Sequence, residues 1–344
     1  MTREERIENL QRFGYTDREA AFLCLAALHS GYFLRRQFLY FAGKCRGQIA
    51  ANLIDRAVDL GHAKPRSYRA DRIVYHLASK PFYASLGQTD NRHRREHQTS
   101  TIKSRLMALD FALQHRDAQF LETENDKLAF FCEELKLDRE CLPVARYRSP
   151  DAQEISARYF VDKFPVFITR DAVGASSVVH FCYIDEGLHS TSGFERYLDQ
   201  YATLFAQLAN LQVLYVSCFA DQFERAARLF STRIEHGSGL PADPQIEVLL
   251  AHFRDRVAFE KRDFSAVTQP RLIAYREASQ QFSGERYDRL FERWKSEGDK
   301  AIQSVFNPAA KPVANQKAVF TTYRLAFQYD LFGTLTNGDW KGKG

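Results

Sequence analysis

Residues 48–77 read QIAANLIDRAVDLGHAKPRSYRADRIVYHL. In the first half, Ile49, Leu53, Ala57 and Leu60 recur at intervals of four, four and three, the apolar stripe of an amphipathic helix. The opposite face carries Gln48, Asn52 and Arg56, side chains able to meet base edges or grip phosphate. In the second half the basic residues Lys64, Arg66, Arg69 and Arg72 lead into an alternation of Ile73, Tyr75 and Leu77 against Val74 and His76. That pattern predicts a basic two-stranded hairpin directly after the helix.

The residues before this stretch complete a unit. Thr16 and Glu19 in YTDREAAFLCLAALHSG form a capping box, which predicts a helix over Asp17–His29. LRRQFLYFAG, residues 34–43, reads as a shorter helix with Phe38, Leu39 and Phe41 inward and Gly43 at its end. Three helices and a basic hairpin in this order are a winged helix-turn-helix, whose third helix enters the major groove while the wing touches backbone or minor groove. Lys44, Arg46, Gln48, Asn52, Arg56, Lys64, Arg66, Arg69 and Arg72 are then the expected contacts to double-stranded DNA. The alternative is the same small fold turned to protein contact.

Charge supports a polyanion partner for this part of the chain. Residues 1–110 hold 19 Lys+Arg against 11 Asp+Glu, a net of +8, whereas residues 111–344 net −3. With 344 residues, 45% of them hydrophobic, the chain can form two or three domains. It has no apolar run of ~18 residues, and its charged N-terminus lacks the apolar core of a secretory signal, so a cytoplasmic location without membrane contact is expected. The six cysteines show no C-x-x-C spacing and suggest neither a zinc ribbon nor a disulfide framework.

The connector SLGQTDNRHRREHQTSTIKSRL, residues 85–106, contains His93, Glu96 and His97 in the H-x-x-E-H pattern of some zinc proteases. That chemistry needs both histidines on one face of a buried helix. Here the neighbours are polar and Arg94 and Arg95 would repel a cation, so no metal site is expected. Arg92, Arg94, Arg95 and Lys103 instead join the expected DNA-binding set.

Leu106, Leu109 and Leu113 predict a helix from Thr101, and TENDKLAFFCEELKL a second one capped near Thr123. The polar RYRSPDAQEIS suggests a boundary near residue 150. Beyond it KFPVFITR and SSVVHFCYID read as strands about a DAVG turn, TSGFERYLDQYATLFAQLAN as a helix, LQVLYVSCF as a strand and DQFERAARLFSTRI as a helix, a small α/β arrangement with a mixed sheet. PQIEVLLAHFRDRVAFE, ERYDRLFERWKSEGDKAIQSVF and QKAVFTTYRLAFQYDLF have helical periodicity, and the tail NGDWKGKG is expected to fray. The expected organisation is α+β: a winged helix-turn-helix with basic connector over 1–115, a helical bridge over 116–150, an α/β domain over 151–240 and a C-terminal helical extension over 241–344.

Through TDREAAFLCLAALHSGYFLRRQF, YHLASKPFYASLG, YIDEG, FERYLDQYATLF and LQVLYVS, residues 10–235 resemble the replication-relaxation family of bacterial mobile-element proteins. The resemblance implies DNA binding in the replication, transfer or regulation of a plasmid, conjugative or integrated element. The chain departs from that family in its long connector and its C-terminal hundred residues.

The α/β order also resembles the restriction-endonuclease-like core of PD-(D/E)-x-K nucleases, which need two carboxylates for Mg2+ and a lysine two residues after the second. Asp162 and Asp185 could be the acids, but the lysine position falls on Gly187, or on Leu188 if Glu186 is the second acid, with His189 the nearest group able to pass a proton. A degenerate version without catalytic residues, metal or cofactor is therefore expected, serving a protein partner or homodimer contact. The alternatives are a Mg2+-dependent nuclease using Asp162, Asp185 and Glu186, or a protein-interaction scaffold.

Overall fold

The computed structural model describes residues 1–68, 72–148, 155–170, 177–187, 191–234, 244–260, 268–298, 301–302, 317–329 and 332. Arg69, Leu188, His189, the DAVG turn and the NGDWKGKG tail lie outside the described residues. The chain is mixed α+β and divides into two compact units, residues 1–230 with 316–344, and residues 231–315. The boundary expected near residue 150 falls inside the first unit.

That unit begins with α1 (Arg3–Gln11) and α2 (Asp17–His29), each opened by a capping box, Thr2 with Glu5 and Thr16 with Glu19. The Glu19 carboxylate accepts the Thr16 N–H at 2.8 Å. There follow β1 (Tyr32–Phe33), α3 (Arg35–Phe41), α4 (Ile49–Asp59), β2 (Ala63–Ser67) and β3 (Ile73–Leu77). β3 lies between β1 and β2, antiparallel to both. Period-2 alternation splits this small sheet between two cores. Phe33, Tyr75, Leu77 and Ala63 pack with the helices, while Tyr32 and Val74 belong to a second cluster on the other face.

After α5 (Lys80–Ser85), α6 (Thr99–Gln114) supplies that second face. Its Ile102, Leu106, Met107 and Phe111 join Tyr32 and Val74 with Phe167, Cys182, Ile184, Leu214 and Val216 of a larger sheet. That sheet contains β4 (Gln119–Phe120), β7 (Val166–Arg170), β8 (Ser177–Asp185), β9 (Asn210–Ser217) and β10 (Lys317–Arg324), in the order β10-β9-β8-β7-β4. Between β4 and β7 come α7 (Glu124–Leu128) and the antiparallel ribbon β5 (Val144–Arg148) and β6 (Ile155–Tyr159). β7 runs antiparallel to β8, whereas β8, β9 and β10 are parallel, joined through α8 (Ser192–Phe205) and, beyond β9, α9 (Phe223–Ile234). The opposite sheet face, with Phe181, Tyr183 and Tyr215, meets Phe194, Tyr201 and Phe205 of α8.

Three expectations are corrected. QKAVFTTYR is strand β10, since the run Val319–Tyr323 is β-branched and aromatic and completes the ladder beside β9. The polar stretch around Pro150 is flanked by the β5/β6 ribbon. In α4 the inward residues are Ala50, Leu53, Ile54 and Ala57, and Leu60, at the helix end, is 43% exposed.

The second unit, residues 231–315, holds α10 (Pro244–Glu260), α11 (Gln269–Gln281) and α12 (Glu285–Glu297). They close on a core of Leu249, Phe253, Ala278, Phe282, Leu290 and Phe291. Arg256 bonds Asp288 at 2.8 Å across two of these helices. Among the described residues no helix is long and apolar enough to cross a membrane.

Candidate nucleic-acid interface

The α3–α4 connection decides what α4 can offer. Gly43, at φ +65°, turns the chain out of α3, and the Arg35 guanidinium donates to the Gly47 carbonyl at 3.4 Å, just before Gln48. Lys44, Arg46, Gln48 and Asn52 are all exposed at the start of α4. Further along, the exposed positions are Asp55 and Asp59, three and seven residues after Asn52. The face therefore passes from cationic and amide groups to acidic ones, a gradient readable from the spacing alone.

Arg56 does not belong to this face. Its guanidinium turns back onto the Glu19 carboxylate at 2.5 Å, closing α4 onto the start of α2. On the hairpin, Lys64, Arg66 and Arg72 are exposed. β2 is an edge strand, which accommodates Pro65 without loss of a ladder bond. Arg66 lies 5.4 Å over the Tyr68 ring, and Tyr68 N–H donates to the Arg72 carbonyl at 2.8 Å, closing the hairpin beside the undescribed Arg69.

The connector is more structural than its charge suggests. His93 is 1% exposed, accepting contact from the Arg105 guanidinium on its ring, and its carbonyl lies 2.9 Å from His76 Nε2. Burial, then Arg105, holds His93 well below the ordinary histidine range, and His97 is brought down to about 4 by burial and Arg105. No group of three or more described His, Cys, Asp or Glu side chains could hold a metal ion. Arg94 donates to the Thr89 carbonyl at 2.7 Å, Arg92 is half-buried and Arg95 is exposed.

Lys103, expected among the DNA contacts, is 8% exposed on α6. It stands at the end of β8. A Cβ built on Gly187 would lie 3.8 Å from Lys103 Nζ and 3.3 Å from the Phe219 ring, and Gly187 has φ +85°. A lysine side chain on residue 187 would thus be strained by backbone and blocked by Phe219, but an ammonium arrives there from α6.

The acids expected for a nuclease are committed locally. Asp185 accepts the Gly187 N–H at 3.0 Å and the Ser217 hydroxyl at 3.3 Å. Glu186 is pushed upward by burial and by Asp185, with Lys103 opposing. Asp162 accepts the Phe164 N–H at 3.0 Å and the Tyr201 hydroxyl at 2.7 Å. Compared with known proteins, the chain matches no family model, no characterised protein and no solved structure.

Proposed function

We propose that the chain binds double-stranded DNA, with residues 17–77 acting as a winged helix-turn-helix. The observation that carries this reading is the order α2-β1-α3-α4-β2-β3 about a central β3, with exposed cations and amides at the start of α4 and exposed cations on the edge strand β2. In this reading Gln48 and Asn52 meet base edges, and Lys44, Arg46, Lys64, Arg66 and Arg72 hold phosphates. Asp55 and Asp59 repel backbone phosphate, so the helix enters the groove by its first turns. The resemblance to the replication-relaxation family supports a role in the replication, transfer or regulation of a mobile element. The α6, β4-β7-β8, α8, β9 succession is consistent with a degenerate restriction-endonuclease-like core that binds a protein partner or a second copy.

The test is a mobility shift of the full chain on duplex DNA flanking its own gene, with and without Mg2+. Binding is expected at ~50 mM salt and should fall steeply as salt rises, because each neutralised phosphate releases counterion. A folded chain that shifts no duplex at that salt overturns the proposal.

A second reading, a Mg2+-dependent nuclease, is favoured by one observation, the approach of Lys103 to Gly187. It requires nicking of supercoiled DNA with Mg2+ or Mn2+ that disappears in Asp162→Ala, Asp185→Ala and Lys103→Met. The first reading expects no nicking.

A further inference from the structure

The outer end of the β2/β3 hairpin has little sheet to support it. β1 pairs only with Tyr75 and His76 of β3, so the pairs Arg66 with Val74 and Ser67 with Ile73 lie beyond it and have only each other in the sheet. A two-stranded ribbon alone is marginally stable in water. Tyr68, the residue after β2, carries the Arg66 guanidinium 5.4 Å over its ring, and its hydroxyl is buried without a hydrogen-bond partner among the described residues. What the Tyr68 ring meets is Phe332, edge to face at 4.9 Å.

Phe332 comes from the far end of the chain and is anchored there. After β10 the backbone is tied to the end of β9, where the Leu325 N–H donates to the Ser217 carbonyl at 2.9 Å and the Cys218 thiol to the Phe327 carbonyl at 3.2 Å. The Arg36 guanidinium of α3 then lies 4.1 Å over the Phe327 ring and 5.3 Å over that of Tyr329, whose hydroxyl donates to Asp110 of α6. The Phe332 N–H returns to the Tyr329 carbonyl at 3.1 Å, and the two rings stand nearly parallel. Leu325, Tyr329 and Phe332 are all buried, in the same core as Val74 of the hairpin.

We propose that residues 325–329 and 332 form a strap that holds the hairpin and α3 in one frame, with Phe332, acting through Tyr68, as the positioning residue for Arg66. Its role at DNA rests on the double-stranded DNA reading above. α3 and the hairpin bracket α4 in the chain, so fixing both fixes the span between the amides at the start of α4 and the cations of β2. A hairpin end released from Phe332 keeps its charges but presents Arg66 to phosphate from many directions, and ordering it again on binding costs affinity.

The full chain carries the test. In Phe332→Ala, amide exchange over Lys64–Tyr68 should quicken about tenfold, while that of α2 and β8 stays within about twofold of the parent. Duplex binding should weaken with a salt slope shallower by about one, the mark of a lost phosphate contact. Phe332→Ala combined with Arg66→Ala should bind no more than about twofold worse than Arg66→Ala alone, since both remove the same contact. A merely structural loss would lower affinity at an unchanged slope and would multiply with the Arg66 effect. Tyr68→Phe keeps the ring and should match the parent in exchange and binding. Tyr68→Ala removes the contact from the hairpin side and should reproduce Phe332→Ala, replacing it if that variant does not fold. Unchanged exchange over Lys64–Tyr68 in the alanine variants, losses that multiply in the double variant, or a Tyr68→Phe that behaves like Tyr68→Ala overturns the proposal. A parent chain that shifts no duplex sinks the DNA reading instead, and the exchange measurement still decides whether the strap holds the hairpin.

Discussion

At the scale of single residues, burial converts several cations from surface groups into parts of the interior. Asp110, 1% exposed, accepts both Arg36 Nη1 and Nη2, at 2.8 and 2.6 Å, the Gln37 amide at 2.9 Å, and the Tyr329 hydroxyl. Arg36 also lies 4.1 Å over the Phe327 ring. Asp110→Asn is expected to destabilise the chain by roughly 2–3 kcal/mol, below the ~3–5 of a fully buried pair because Arg36 keeps 31% of its side chain exposed. Denaturant unfolding checks this, and a loss under about 0.5 kcal/mol would remove Asp110 from the stabilising network.

Lys127 makes a pH-dependent prediction with a definite sign. Burial is the largest influence on it, opposed by Asp162, Asp126 and Glu124 and reinforced by Lys163. Its folded value, about 8, is below the unfolded one, so between these two pH values the unfolded chain binds more protons and stability rises with pH. Lys127→Met should be more stable than the parent at pH 7 by on the order of 3 kcal/mol at most, at ~1.4 kcal/mol per pH unit. The advantage should fade as pH rises from about 8 to about 10.5. Parallel melting curves against pH would contradict it.

At the scale of elements, α4 and the β2/β3 hairpin have separable tasks. Gln48→Ala with Asn52→Ala should reduce discrimination between sites by ~1–3 kcal/mol per lost base contact, whereas Lys64→Ala with Arg66→Ala should weaken all duplexes about equally and flatten the salt dependence. Equal losses on specific and random DNA from both pairs would reassign the reading helix. Arg56→Ala should instead cost less than ~1 kcal/mol of stability, since the pair with Glu19 is partly solvated, and should leave DNA affinity within about twofold. Competition binding and thermal melting on the same three variants separate these outcomes.

For the whole molecule, the important feature is the core shared by the small N-terminal sheet, α6 and the five-stranded sheet. Charge alone suggests that a fragment ending near residue 115 would bind DNA independently. Such a fragment would leave Val74, Leu106, Met107 and Phe111 without Phe167, Ile184 and Leu214, exposing a large apolar face. It is expected to aggregate or to lose near-UV circular dichroism. Residues 231–315 have their own core, so replacing them with a short linker should leave a folded chain with unchanged DNA affinity and salt slope. A well-folded 1–115 fragment with full affinity would show that the shared core is dispensable to that function.

Local chemistry made much of the architecture legible in advance. The Thr16–Glu19 box, the stripe of α4, the alternation of β3 and the apolar runs of β7, β8 and β9 are set by interactions within a few residues, and each element formed where its pattern lies. The exposed amides at the start of α4 and the cations of the hairpin were readable for the same reason. Long-range contacts decided the rest. β10 takes its identity from β9, a hundred residues earlier, and Arg56 and Lys103 take theirs from Glu19 and the end of β8. A cation in an amphipathic sequence looks solvated whether its neighbour in space is water, a carboxylate or an aromatic ring. Only the packing of distant segments distinguishes these cases, because desolvation and Coulomb interaction depend on distance in space and not along the chain.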